Sequence, residues 1–145
     1  MSGMVDSKQK QLNSADIVMT ALENTRSKHP PKIAFTAIMA ELGQPNTDVK
    51  IMGNTLFVLH KGSDGKGFFR ALNADTARNF VESSRQYVVY AKQKQGMKFL
   101  VTEFEDPAIE TLFHAISKNP PMPNMAFQTF KLKNGTTRIV LSLGD

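Results

Sequence analysis

The 145-residue sequence contains no cysteine and no tryptophan, and its apolar runs are short. The absence of cysteine excludes a disulfide scaffold, a thiolate nucleophile and a cysteine-ligated zinc or iron–sulfur site. The three histidines, His29, His60 and His114, are too widely spaced for a metal-ligand motif, so we expect no metal site. No stretch approaches the ~20 apolar residues of a membrane-spanning helix, and residues 1–13 lack the apolar segment of a secretory signal. We therefore expect an intracellular protein without a membrane span.

Positive charge is in moderate excess, with 18 Lys and Arg against 13 Asp and Glu and a formal net charge of +5. The basic residues are scattered, and the sequence has neither an arginine-rich arm nor the K/R-G-F/Y-G/A-F core of an RNA-recognition motif. A solvated basic surface explains this composition better than a nucleic-acid interface. The length fits one domain that can bury a core unaided.

Two helices are predicted before the first strand. Residues 1–13 are polar, which is typical of a flexible N-terminal segment, and Ser14 is the predicted N-cap of the first helix. That helix should end near His29, because the proline that follows disfavours helical backbone before it. Pro31 then begins a second helix that Gly43 ends. The predicted apolar faces contain Ile17, Val18, Ala21 and Leu22 in the first helix, and Ile33, Ala34, Ala37, Ile38 and Leu42 in the second.

The rest of the chain alternates strands with helices. Three strands over 49–51, 55–61 and 68–72 are joined by short glycine-containing turns, which predicts an antiparallel meander. The remaining elements are a helix from Asp75 or Thr76 to about Gln95, a strand over 97–104, a helix from Pro107, and a hairpin over 125–133 and 136–143 around Asn134-Gly135. The order α-α-β-β-β-α-β-α-β-β predicts one α/β (α+β) domain over residues 14–145 with a mixed sheet.

Arg78, Arg85 and Lys92 are spaced by seven residues on the long helix, so they share one face. Three cations on one face can contact a nucleic-acid backbone or an acidic partner. A solvated face is the alternative interpretation, since Glu82 can pair with Arg78 four residues earlier.

This order of elements resembles that of the GNAT family of N-acetyltransferases. In that family two helices precede a three-stranded meander, and a long helix, a strand, a second helix and a terminal hairpin follow. The resemblance covers the chain from about Ser14 to the C-terminus, and the family's first strand would fall in residues 1–13, which are polar. It implies a mixed GNAT-like sheet.

The family binds the pyrophosphate of CoA with a Q/R-x-x-G-x-G/A loop at the start of the long helix. The corresponding segment here is Arg70-Ala-Leu-Asn73-Ala-Asp75. Arg70 matches the motif, but Asn73 and Asp75 replace the glycine and the small residue. A carboxylate beside the pyrophosphate opposes binding, and Asp75 is better suited to capping the helix. We therefore expect a vestigial loop and no bound cofactor.

A second family motif, A-x-x-L-Y-x-x-x-G-F, places a tyrosine that protonates the departing CoA thiolate. Leu112 matches it, but Phe113 stands at the tyrosine position and offers no hydroxyl. The neighbouring His114 points about 100° away on a helix, so a partly exposed structural position is favoured over a role as the acid. We expect no catalytic residue.

The resemblance extends to small, degenerate acetyltransferase-like proteins inside the virions of short-tailed bacteriophages. It implies a non-catalytic structural or interaction protein of the virion or of the host bacterial cytoplasm. Its implied partners are larger virion proteins, with DNA nearby. Two alternatives stay open: a CoA-dependent N-acyltransferase with a divergent loop, using Glu103 or a water as base, and a nucleic-acid-binding module that uses the basic helix.

Overall fold

The helices and strands follow one another in the predicted order. A computed structural model describes residues 12–24, 31–104 and 107–144. Its elements are α1 (Ser14–Asn24), α2 (Pro31–Leu42), β1 (Thr47–Met52), β2 (Thr55–Lys61), β3 (Lys66–Asn73), α3 (Ala77–Gln93), β4 (Phe99–Phe104), α4 (Pro107–Lys118), β5 (Ala126–Lys131) and β6 (Thr137–Ser142). The predicted α/β (α+β) class and element order are thus confirmed.

The strands form one six-stranded mixed sheet in the order β1-β2-β3-β4-β6-β5. Every neighbouring pair is antiparallel except β3 and β4, which run parallel. That pairing joins Lys66–Phe68 to Phe99–Val101 and goes no further along either strand. The two strands therefore separate towards their C-terminal ends, where β3 leads into α3.

Helices cover the two faces of the sheet unequally. On one face, α1 and α2 pack over β1, β2 and β3 around a cluster of Ile17, Val18, Ala21, Leu22, Ile38, Leu56, Val58 and Leu72. On the other, α3 and α4 cover a larger cluster that includes Phe57, Leu59, Phe69, Tyr87, Leu100, Phe113, Ile116, Ile139 and Leu141. The face opposite α3 and α4 carries Phe68, Phe99 and Phe130, which are 48%, 37% and 46% exposed. Among the described residues, no helix covers β4, β6 and β5 on that face.

The first two helices differ from the prediction at their ends and on one face. The N-cap of α1 is Asn13 and not Ser14, because the Asn13 side chain accepts a hydrogen bond from the Asp16 backbone N–H at 2.8 Å. Ile33 is 63% exposed and Ala37 is also exposed, so α2 buries a narrower stripe centred on Ile38. The predicted flexible segment up to residue 11 and the predicted end of α1 at 25–29 lie outside the described residues.

Candidate functional site at the β3–α3 connection

Asn73 ends β3 and fixes the backbone that leads to α3. Its side-chain oxygen accepts hydrogen bonds from the Thr55 hydroxyl at 2.8 Å and from the Asp75 N–H at 3.0 Å. Its side-chain nitrogen donates to the Asp75 carbonyl at 3.0 Å. The Asn73 side chain therefore fixes the backbone of the β3–α3 connection and links this connection to the neighbouring strand β2.

The Asp75 carboxylate binds three donors around the start of α3. It accepts hydrogen bonds from the Asn54 N–H at 3.1 Å, the Thr76 N–H at 2.9 Å and the Asn79 side-chain amide at 2.8 Å. Partial burial raises the pKa of this carboxyl, but the hydrogen bonds from Asn79, Thr76 and Asn54 lower it more, so its pKa lies below the ordinary value. Asp75 is ionised and fully engaged at neutral pH.

Thr76, and not Asp75, is the N-cap of α3. Its backbone is extended, with φ −67° and ψ 160°, and its hydroxyl accepts a hydrogen bond from the Asn79 N–H at 3.2 Å. Of the two predicted caps, Thr76 is therefore confirmed. Asp75 instead links the helix to the β1–β2 turn through Asn54.

Arg70, the residue that matches the family motif, is separated from Asn73 and Asp75. Successive side chains of a strand point to opposite faces, so Arg70 lies on the α2 side of β3 and Asn73 on the α3 side. The Arg70 guanidinium pairs with Glu41 of α2 at 2.6 Å. The same carboxylate lies 2.5 Å from Nε2 of His60. Arg70 thus holds α2 onto the sheet.

Aromatic rings fill the space where β3 and β4 separate. Phe113 of α4 packs edge-on against Phe69 of β3, with centroids 6.1 Å apart, and stacks against Phe104 of β4 at 6.2 Å. Phe113 and Phe69 are 4% and 2% exposed. These three rings therefore pack together at the point where the two strands diverge.

His114, which follows Phe113 on α4, points away from that core. Its side chain is 60% exposed and its Nε2 lies 3.5 Å from a Glu110 carboxylate oxygen on the same helix. The partly exposed position expected for His114 is thus observed, and Leu112 is half-buried beside it.

The three cations of α3 differ in their surroundings. Arg78 is exposed. Arg85 donates to the Asn119 carbonyl at the end of α4, and its Nε lies 3.8 Å from Glu82, so Glu82 pairs with Arg85 and not with Arg78 as predicted. Lys92 donates to the Leu143 carbonyl at 3.0 Å. Arg85 and Lys92 thus tie α3 to the C-terminal part of the chain.

Glu103, the base considered for an acyl transfer, is also paired. Arg138 of the neighbouring strand β6 holds its carboxylate at 2.6 Å and 2.8 Å. Glu103 thus links β4 to β6 through an ion pair across the two strands.

Within the described ranges, no cluster of three or more His, Asp or Glu side chains is placed to hold a metal ion. No helix in the same ranges is both long and apolar enough to cross a membrane.

No known protein family, curated protein or solved structure matches the chain.

Proposed function

We propose that this chain is a non-catalytic interaction protein with a GNAT-like fold that acts within a larger protein assembly. The GNAT-like assignment is supported by the order of helices and strands and by the mixed sheet, in which β3 leads into the long helix α3. The observation that carries the non-catalytic assignment is the engagement of Asp75 and Thr76 at that point.

A helix N-terminus binds an anion through free backbone N–H groups and a favourable dipole. At α3 the Asn79 N–H already donates to Thr76, and the Asp75 carboxylate adds a negative charge beside the Thr76 N–H. A pyrophosphate would have to displace these bonds and approach a carboxylate whose ionised form they stabilise. Because Asn73 and Asp75 stand where the family motif has small residues, the backbone is also less accessible.

The packing of Phe113 supports the same conclusion independently. Phe69, Phe104 and Phe113 pack against one another where β3 and β4 separate. Phe113 has no hydroxyl to protonate a thiolate, and His114 faces solvent. The position that the family motif gives to a proton donor is therefore part of the hydrophobic core.

The exposed sheet face supports a role in assembly. Phe68, Phe99 and Phe130 leave apolar surface on a face that no described helix covers, and larger exposed apolar patches mark sites of protein contact. We place this assembly in the virion of a bacteriophage, in line with the resemblance given by the sequence, with other virion proteins as partners and DNA nearby.

A titration with acetyl-CoA tests the proposal. We expect no saturable change in thermal stability up to millimolar ligand, and no heat of binding by calorimetry at low salt. A functional site would stabilise the fold by about 2.7 kcal/mol at a ligand concentration about a hundredfold above the Kd. A known acetyltransferase titrated in parallel is the positive control.

Saturable stabilisation by acetyl-CoA would overturn the proposal and favour a divergent acyltransferase. Asp75→Gly extends the test: because it removes the carboxylate, binding by this variant alone would identify Asp75 as the group that closes the site.

A further inference from the structure

Strand β5 lies at one edge of the sheet, and β6 is its single neighbour among the described residues. The Leu132 N–H donates to the Thr136 carbonyl at 2.8 Å, so these two residues form a hydrogen-bonded pair of the antiparallel ladder. Hydrogen-bonded and non-hydrogen-bonded pairs alternate along such a ladder, and the register pairs Lys131 with Thr137. The backbone N–H and C=O groups of Phe127, Thr129 and Lys131 therefore point away from β6, towards the free edge.

Among the described residues, the stretch of this edge from Ala126 to Phe130 lacks the usual protection against pairing with another chain. Native edge strands are commonly protected by charges, prolines or bulges. From Ala126 to Phe130 the strand contains no charge and no proline, and its register with β6 is continuous. All but Phe127 of its residues are exposed. The edge is therefore available to accept another strand.

A cavity of about 290 Å³ lies between this strand and α4. Apolar side chains that include Phe113 and Met125 line it, together with the charged or polar side chains of Glu110, His114 and Ser117. Phe127 and Thr129 also contribute side chains to the cavity, and outward backbone groups to the edge. A strand that paired with β5 would pass beside the cavity and could place one large apolar side chain in it.

Taken together, the described residues around the groove between α4 and β5 carry more positive than negative charges. On α4, β5 and the turn after it, the described charged residues are Lys118, Lys131 and Lys133 against Glu110. Glu110 is itself paired with Lys131, and this hydrogen bond lowers the pKa of the Glu110 carboxyl. An acidic segment is electrostatically favoured here, whereas a second copy would bring the same lysines and a net charge of +5.

We propose that the groove between α4 and β5 binds an extended acidic segment of a partner protein. The segment adds to the sheet as a strand on the β5 edge, inserts one apolar side chain into the cavity, and places acidic residues near Lys133. Main-chain hydrogen bonds supply affinity and the cavity supplies specificity, as in other cases of strand addition. This inference rests on the proposed interaction function. It identifies the surface that binds a partner and the chemistry of the partner segment.

Selection from a library of random displayed peptides tests the proposal even though the partner protein is unidentified. Peptides of about ten residues span the strand, and the immobilised full chain is the target. We expect the enriched peptides to combine acidic residues with an apolar residue, and to bind more weakly as salt rises.

Two variants and their matched controls locate the binding site of an enriched, synthesised peptide. Thr129→Pro removes an outward N–H at a position where it makes no ladder bond, and Thr129→Val keeps that N–H. Ser117→Phe fills the cavity, whereas Ala115→Phe adds the same ring on an exposed position of α4. We expect about a tenfold loss of affinity for Thr129→Pro and Ser117→Phe, and little change for the controls. Circular dichroism checks the fold, and Ser117→Phe carries the test if Thr129→Pro does not fold.

The proposal is overturned if no peptide is enriched above an unrelated control protein, or if both test variants bind as the native chain does. It is also overturned if sedimentation shows a dimer that Thr129→Pro abolishes, because the edge would then serve a second copy. In each case the absence of acetyl-CoA binding would leave the interaction role standing. Saturable acetyl-CoA binding would overturn that role whatever the peptides do.

Discussion

At the scale of single residues, Asp75 couples the stability of the fold to pH. Its pKa is lower in the folded protein than its ordinary value, so the folded state binds fewer protons than the unfolded state in the acid range. Its contribution to the free energy of unfolding is therefore complete above the ordinary carboxyl pKa. It is lost as the pH falls through the lowered folded-state pKa.

Asp75→Asn tests this coupling. We expect a lower free energy of unfolding than in the native chain at neutral pH, because the amide cannot accept all three hydrogen bonds. The difference should vanish in strong acid, where the native carboxyl is protonated. Urea denaturation across the pH range measures it, with the exposed Asp64→Asn as the control. A difference that does not depend on pH would contradict the assignment.

Tyr87 is the second residue whose environment leads to a prediction. Its ring is fully buried and stacks on Phe57 with centroids 4.1 Å apart, while its hydroxyl has no hydrogen-bond partner in the described residues. Burial raises the pKa of this hydroxyl far above its ordinary value. Tyr87→Phe keeps the stacked ring and removes the unpartnered hydroxyl. We expect an unchanged free energy of unfolding, or an increase of about 1 kcal/mol.

Denaturant unfolding of Tyr87→Phe provides the measurement, and Tyr87→Ala is the comparison, with an expected loss of about 3–5 kcal/mol. A loss of about 1 kcal/mol in Tyr87→Phe would show instead that a buried water binds the hydroxyl.

At the scale of elements, α1 begins at two adjacent residues, Asn13 and Ser14, and both residue types are favoured at the N-cap of a helix. Asn13→Ala should lower the free energy of unfolding by about 1 kcal/mol, because the Asp16 N–H loses its acceptor. Ser14→Ala, one residue into the helix, should change it by less than about 0.5 kcal/mol. Urea denaturation followed by circular dichroism compares them. Equal losses would argue for a cap shared between the two residues.

Local chemistry explains which features of the elements were predictable. Pro31 marks the start of α2, and the glycine-containing turns mark the ends of strands, because each restricts the backbone within a residue or two. The exposure of Ile33 was not predictable, since it depends on which side of α2 meets the sheet. The position of Thr76 predicted its cap, but the attachment of Asp75 to Asn54 required the fold.

The candidate site shows more clearly that contacts between distant residues cannot be predicted from local sequence. The sequence predicted that the Asp75 carboxylate opposes the binding of a pyrophosphate. The structure adds the three donors that hold this carboxylate. The partners of Arg70 and Lys92 are 29 and 51 residues away along the chain. No local pattern identifies such partners, because they are set by which strands and helices become neighbours. The groove between α4 and β5 could not be predicted for the same reason.

At the scale of the whole molecule, the insertion of β6 between β4 and β5 determines which surfaces are open. The hairpin signal at Asn134-Gly135 predicted that β5 and β6 pair, and they do. It did not predict that β6 would be the strand that contacts β4. That choice places β5 at the edge, beside α4. The interaction proposed for this edge is thus a consequence of topology and not of any motif.

The two central strands of the first sheet half contribute to both hydrophobic clusters. In β2, Leu56 and Val58 belong to the cluster under α1 and α2, whereas Phe57 and Leu59 belong to the one under α3 and α4. In β3, Leu72 and Phe69 divide in the same way. Loss of either cluster therefore exposes one face of these strands and removes packing that also supports the other cluster. The two layers are thus expected to unfold as one cooperative unit, with the amide protons of β2 exchanging only when the whole molecule opens.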